Sequence, residues 1–94
     1  MKPEISDIFR EELLEELSAL EHERWSHWQK YLHSKCKLNR DGSLTIPADL
    51  VAHWEKQMTT PYAALSCEEQ NSDREQVTRV FTIIEKFITR IFSS

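Results

Sequence analysis

The sequence contains one glycine, Gly42, and three prolines among its 94 residues. An all-β fold needs many tight turns, so this composition argues against one. Phosphate-binding loops, dinucleotide fingerprints and nucleophile elbows are also excluded, because each requires several closely spaced glycines. Two cysteines are too few for a disulfide-framed secreted domain, so Cys36 and Cys67 are expected to be free thiols.

Long apolar runs are also missing. No stretch approaches the roughly 20 apolar residues of a membrane span, and the first residues lack the apolar run of a signal peptide. A net charge of −4 gives no general attraction to DNA, RNA or an anionic membrane. We therefore expect a cytoplasmic protein with no membrane or nucleic-acid partner.

What is present indicates one small globular domain. Hydrophobic residues make up 39% of the chain and include three Trp, two Tyr and four Phe, too many apolar anchors for a disordered tail. Charge is distributed unevenly: residues 1–23 contain eight acidic residues, whereas residues 24–40 contain five basic residues and no acidic one. A domain this short has a thin stability margin, so a homo-oligomer is expected.

Apolar residues recur in steps of three and four through the N-terminal third, which predicts an amphipathic helix that Asp7 can cap. The stripe consists of Ile8, Phe9, Leu13, Leu14, Leu17 and Leu20, and it continues through Trp25, Trp28, Tyr31 and Leu32. We expect two helices with a bend near Leu20–Glu23; one long helix is the alternative.

From residue 37 the sequence changes from helical apolar spacing to turn-forming residues. Asp41-Gly42 is typical of a hairpin turn, so residues 37–46 are expected to form a small β-hairpin or flap. Pro47 suits the first position of a helix, and Leu50, Trp54 and Met58 then repeat every four residues. This spacing predicts a short amphipathic helix that ends before Thr59.

The C-terminal third is predicted to contain an extended connector over residues 61–65, a helical turn and a long helix. Ser66 and Glu69 have the spacing of a capping box for the turn, and Ser72 and Glu75 have the same spacing at the start of the long helix. The long helix has a wide apolar stripe, which indicates either a central core helix or a partner interface. Its members are Val77, Val80, Phe81, Ile83, Ile84, Phe87, Ile88, Ile91 and Phe92. The predicted fold class is mainly α: a compact domain of three to four helices with a small β-hairpin.

Enzyme and metal signatures are weak. His22 and His27 are five residues apart, which separates them by about 140° around a helix and excludes the zinc-protease spacing. Paired carboxylates such as Glu15 and Glu16 fall on a heavily charged helix side and indicate a solvated face. We expect no catalytic residue, no metal site and no cofactor.

Residues 24–40 combine basic and aromatic side chains. Arg24, Trp28 and Tyr31 are three and four residues apart, so they can share one helix face. Cations pair with phosphates and rings stack on flat bases, which favours a nucleotide-type anion as ligand. The simpler alternative is that Trp25 and Trp28 belong to the core and the basic residues only solvate the surface.

Three segments resemble the ryanodine receptor repeat (RyR) domain family. Residues 20–25 read Leu-Glu-His-Glu-Arg-Trp, similar to a helix motif of that family; Pro61, Tyr62 and Leu65 resemble its Pro-Tyr connector; and residues 68–77 resemble its acidic turn followed by Asp-Arg-Glu and a long helix. The resemblance implies a helical RyR-like domain over residues 17–94, preceded by an acidic helical extension over residues 1–16.

The resemblance also implies a binding module rather than an enzyme. Bacterial and phage members are linked to nucleotide-derived molecules in antiviral conflict, which suggests a sensor or a sponge of an immune signal. The expected ligand-binding residues are Arg24, Trp28, Tyr31, Tyr62, Arg74 and His22. Arg74 is expected to hold a phosphate together with free backbone N–H groups at the start of the last helix. The alternative function is a homo-oligomeric interaction or scaffold protein without a small ligand.

Overall fold

A computed structural model describes residues 6–93, so residues 1–5 of the predicted extension and the terminal Ser94 lie outside the described part. The prediction of a mainly helical chain with a small β-hairpin is confirmed: helices dominate, and one two-stranded antiparallel hairpin is present. In chain order the elements are α1 (Asp7–Lys35), β1 (Lys37–Leu38), β2 (Leu44–Thr45), α2 (Ala48–Thr59), a 3₁₀ turn (Tyr62–Ala64) and α3 (Cys67–Phe92).

The N-terminal apolar pattern forms one helix, α1, so the prediction of two helices that meet near Leu20–Glu23 is wrong. No glycine or proline interrupts this stretch, and an ion pair between Glu21 and Arg24 spans the position of the expected bend. The N-cap is Ser6 rather than Asp7: the Ser6 hydroxyl accepts a hydrogen bond from the Phe9 backbone N–H at 3.1 Å. Asp7 is the first helical residue, where a negative charge suits the helix dipole.

The C-terminal part is also one helix, which begins at Cys67. Ser66 is its N-cap; its hydroxyl accepts from the Glu69 backbone N–H at 3.2 Å and donates to the Glu69 carboxylate at 2.9 Å. The second helix start that we predicted at Ser72 is therefore wrong, because the helix begins at the earlier of two identical spacings. The connector before it is not simply extended, since it contains the 3₁₀ turn Tyr62–Ala64.

The predicted hairpin is present, with Lys37 opposite Thr45 and Leu38 opposite Leu44. Gly42 has a φ of 88°, a conformation that glycine adopts without strain. The Asp41 carboxylate accepts hydrogen bonds from the Ser43 backbone N–H at 2.9 Å and from its hydroxyl at 2.6 Å. These bonds hold the pKa of Asp41 below its usual value.

The predicted middle helix is α2, although Pro47 is its N-cap residue rather than its first helical residue. It extends to Thr59, one residue beyond the expected end. The Thr59 hydroxyl donates to the Glu55 carbonyl at 2.9 Å, which keeps this residue within the helical turn.

The two long helices pack antiparallel. Three ion pairs join them, and the residue numbers rise along α1 as they fall along α3: Glu12–Arg90 at 2.9 Å, Glu16–Lys86 at 2.7 Å and Glu23–Arg79 at 3.0 Å. Near the α1 N-terminal end of the contact Phe87 is 2% exposed, and its ring meets the Phe9 ring edge-to-face with the centroids 4.9 Å apart. Phe87 is the one fully buried side chain among residues 6–93.

The chain is much more open than a compact monomer of its size. Its radius of gyration is 18.9 Å, against about 12 Å for a compact chain of this length. It exposes 8210 Å², whereas a compact protein of this mass exposes roughly 5,700 Å². Much of the apolar surface of the long helices is therefore uncovered in the single chain.

Candidate functional site

A cleft of about 710 Å³ lies between the second half of α1, the helix α2 and the start of α3. Its volume falls within the range of about 300–1,000 Å³ that is usual for small-molecule sites. Four of the residues that line it are aromatic: Trp25, Trp28, Tyr31 and Trp54. The cleft exists because α1 and α3 pack side by side and α2 crosses beside them at the α1 C-terminal end.

The aromatic side chains form a connected group centred on Trp28. The Trp28 and Trp54 rings meet edge-to-face with their centroids 5.7 Å apart, and Tyr31 is tilted by 30° against Trp28 at the same distance. Trp28 remains 44% exposed and Tyr31 is similarly open. Ring surface is therefore held in place by neighbouring rings and is still accessible from solvent.

The charge of the cleft is negative. Five carboxylates line it, on the α1 and α3 sides: Glu21, Glu68, Glu69, Asp73 and Glu75. Among the described lining residues Arg24 is the only Arg or Lys, and its guanidinium is paired with Glu21. The cleft thus offers many hydrogen-bond acceptors, and a group carrying several negative charges would be repelled.

The structure brings three of the six expected site residues together. Arg24, Trp28 and Tyr31 all line the cleft, as their helical spacing predicts. His22 does not: it lines a separate shallow depression that includes Lys30, with its Nε2 3.5 Å from the Ser26 hydroxyl.

Tyr62 and Arg74 are likewise outside the residues that line the cleft. They contact each other, with the Arg74 guanidinium carbon 5.9 Å from the centre of the Tyr62 ring. Because α3 begins at Cys67, Arg74 lies two turns inside the helix, and it donates to the Asn71 side-chain oxygen at 2.8 Å. The expectation that Arg74 holds a phosphate with free N–H groups at a helix start is wrong, since the free N–H groups of a helix belong to its first turn.

Sequence reasoning missed Trp54 and the α3 carboxylates as cleft residues. The period of four in α2 identified the apolar side on which Trp54 lies, but it could not show that this side faces Trp28. The carboxylates at 68–75 fall on a charged helix, a pattern that ordinarily indicates a solvated surface. Only the packing of α1 against α3 places them beside the tryptophans.

Between Ser6 and Ser93, no group of three or more His, Cys, Asp or Glu side chains is placed to hold a metal ion. None of the helices described is both long and apolar enough to cross a membrane.

Comparison with known proteins adds no identification. No family model matches the chain, and neither a curated protein nor a solved structure matches it significantly. Similarity to the ryanodine receptor repeat domain therefore rests on the three sequence segments alone.

Proposed function

We propose that this protein is a non-enzymatic binding module that takes the base and sugar of a nucleotide-derived ligand in the cleft between α1, α2 and α3. The observation that supports it best is the group of accessible rings around Trp28, bordered by carboxylates. The three RyR-like segments, which imply a small-ligand binder, add support from the sequence.

The rings supply the binding energy in this proposal. A flat base stacked on an aromatic side chain gains about 1–3 kcal/mol, and the gain does not depend on base identity. Trp28 is held by contacts with Trp54 and Tyr31, so little side-chain freedom is lost when a ligand stacks on it. The cleft is therefore suited to a planar ligand.

The carboxylates define which end of the ligand enters. Glu69 and Asp73 can accept hydrogen bonds from ribose hydroxyls and from an exocyclic amino group, since carboxylates are pure acceptors when ionised. Phosphates are disfavoured in the same space, so they point out of the cleft. The ligand class accordingly narrows from any nucleotide-type anion to one that carries few phosphates.

Calorimetric titration with adenosine, AMP, ADP and ATP tests the proposal. Affinity should fall with each added phosphate, because each one brings negative charge towards Glu69, Asp73 and their neighbours. Trp28→Ala should weaken adenosine binding at least about 10-fold, the loss of one stacking contact. Tyr62→Ala is the control, because Tyr62 is aromatic but lies outside the cleft.

Three outcomes would contradict the proposal. Absence of binding to all four ligands by folded protein is the first, and a stronger effect of Tyr62→Ala than of Trp28→Ala is the second. The third is binding of tetramethylammonium without binding of adenosine, since rings beside carboxylates also suit organic cations. A biological role as a sensor or sponge of an immune signal follows from the resemblance and depends on nucleotide binding.

A further inference from the structure

The helix α3 has a second apolar side that α1 does not cover. Val77, Phe81, Ile84 and Ile88 are spaced four, three and four residues apart, which places them within an arc of about 60° on the helix. Phe81 is 56% exposed, and Val77 and Ile88 are exposed to a similar degree. Spacing of this kind is the pattern of a helix that packs along a seam with another helix.

The ion pairs to α1 lie on the other side of α3. Arg79, Lys86 and Arg90 are roughly opposite Val77 and its companions around the helix. Thr82 lies on this charged side too, in a shallow depression that includes Arg79 and Glu23. The contact between α1 and α3 therefore has one charged edge, and the edge opposite is apolar.

Residues of α1 extend the same apolar surface. The ion-paired glutamates lie along one edge of the contact between α1 and α3. Because the two helices are antiparallel, the opposite edge of α1 lies beside the Val77 side of α3 and faces the same direction. Leu13, Leu14 and Leu17 lie there; Leu14 is 60% exposed and the other two are half-buried. We call these three leucines, together with Val77, Phe81, Ile84 and Ile88, the apolar face.

The apolar face is bounded at one end by α2. Trp28 continues the same side of α1, and its ring is in contact with Trp54 of α2. The helix α2 thus covers this side of the helical pair only near the cleft. From Leu13 to Leu17 of α1, and from Val77 to Ile88 of α3, the face is exposed or only half-buried in the single chain.

We propose that the occupant of the apolar face is a second copy of this chain, so that α1 and α3 of both copies form one four-helix core. Over its whole surface the single chain exposes roughly 2,500 Å² more than a compact monomer of its mass, whereas a standard stable interface buries only about 800 Å² per partner. The seven named members of the face are uncharged, and Arg10, the nearest charged residue towards the N-terminus on the same side of α1, is exposed in the single chain. Seams with this spacing are self-complementary, and two-fold dimers are the commonest oligomers.

Sedimentation equilibrium of the full chain at micromolar to hundred-micromolar concentration tests the proposal. The wild type should have twice the 11.2 kDa chain mass. Phe81→Glu should weaken association at least about 30-fold, because it places a charge in the centre of the seam. Thr82→Glu is the matched control: it adds the same charge to the neighbouring position on the charged side and should leave the dimer intact.

Thermal unfolding supplies a second readout in case Phe81→Glu does not fold. The wild-type midpoint should rise with protein concentration, as it does for any chain that is stabilised by association. A monomeric wild type with a concentration-independent midpoint would overturn the proposal and leave the face to a different partner. Equal dissociation by both glutamate variants would overturn it as well, since the seam would then lie elsewhere. Neither result bears on nucleotide binding, which is measured separately in the cleft.

Discussion

Phe87 and Phe81 lie on the same helix, fewer than two turns apart, in opposite kinds of surroundings. Phe87 is 2% exposed and packs edge-to-face on Phe9, with the Arg90 guanidinium carbon 5.1 Å from its ring centre. Phe81 is 56% exposed. The α1 side of α3 is packed within the chain, whereas the side of Phe81 is exposed in the single chain.

This difference explains why the stripe in α3 is so wide. A surface helix that packs against one neighbour needs one apolar stripe, and α3 has two. A central core helix and a partner interface, the two alternatives from the sequence, are not exclusive: α1 packs on one side of α3, and the proposed dimer would use the other. Phe87→Ala, compared with Phe81→Ala, tests this difference directly; three further variants test the packing of α2, the start of α3 and the hairpin turn.

The largest effect is expected from Phe87→Ala. Removal of a buried Phe typically lowers the free energy of unfolding by about 3–5 kcal/mol, and here it removes the most buried side chain of the contact between α1 and α3. Urea unfolding followed by circular dichroism measures the change. Phe81→Ala is the comparison, and its effect should be small in dilute protein and grow with concentration. Equal losses in dilute protein would mean that the two sides are not distinct.

A smaller loss is expected from Trp54→Ala, which removes the cover that α2 provides near Trp28. An aromatic pair contributes about 0.5–1.5 kcal/mol beyond the area it buries, and Trp54 is half-buried. We expect the free energy of unfolding to fall by about 1–3 kcal/mol. Met58→Ala, at a position 75% exposed on the same helix, should change it little. A larger effect of the Met58 variant would contradict the packing described for α2.

Ser66→Ala tests the position at which α3 begins. Loss of a serine N-cap costs about 1 kcal/mol, so thermal unfolding should show a drop of this size. Ser72→Ala lies inside the helix and should be neutral or slightly stabilising, since alanine has the higher helix propensity. A larger loss of stability in Ser72→Ala than in Ser66→Ala would indicate that the helix begins at Ser72 instead.

The smallest effect is expected at Asp41, far from both sides of α3. The lowered pKa means that the ionised carboxylate stabilises the turn above the unfolded pKa of about 3.9. That contribution is lost as the pH falls through the folded pKa. Chemical shifts of Gly42 and Ser43 should report this transition in acid, and Asp41→Asn should abolish it. A transition that persists in the Asn variant would assign it to another group.

Local patterns were sufficient to predict the hairpin and the helical class. Asp41-Gly42 specifies its turn through a single backbone conformation, and the absence of glycine elsewhere leaves helices as the main structure. Two Ser-x-x-Glu spacings six residues apart, beginning at Ser66 and Ser72, cannot be ranked locally, so the start of α3 was predicted too late. For the same reason Arg74 was predicted to lie at the start of the helix, whereas it lies two turns inside it.

Only part of the cleft could be predicted, because some of its residues are neighbours on one helix and others come together through tertiary packing. Arg24, Trp28 and Tyr31 are neighbours on one helix, so their proximity follows from spacing alone. Tyr62, Arg74 and His22 were grouped with them across the chain, and the structure places these three elsewhere. Trp54 and the α3 carboxylates enter through tertiary packing, which a single sequence does not encode in any local pattern.

The three ion pairs between α1 and α3 have one more consequence. Individually such exposed pairs add little stability, typically less than about 1 kcal/mol. Together they favour one register of the two helices. A slip of one helical turn would leave Glu12 opposite Lys86, but it would place Glu16 opposite the uncharged Thr82 and Glu23 opposite Glu75, so that one attraction is lost and another becomes a repulsion. The charged pairs therefore favour one register of α1 against α3, whereas their apolar surfaces alone could pack in more than one.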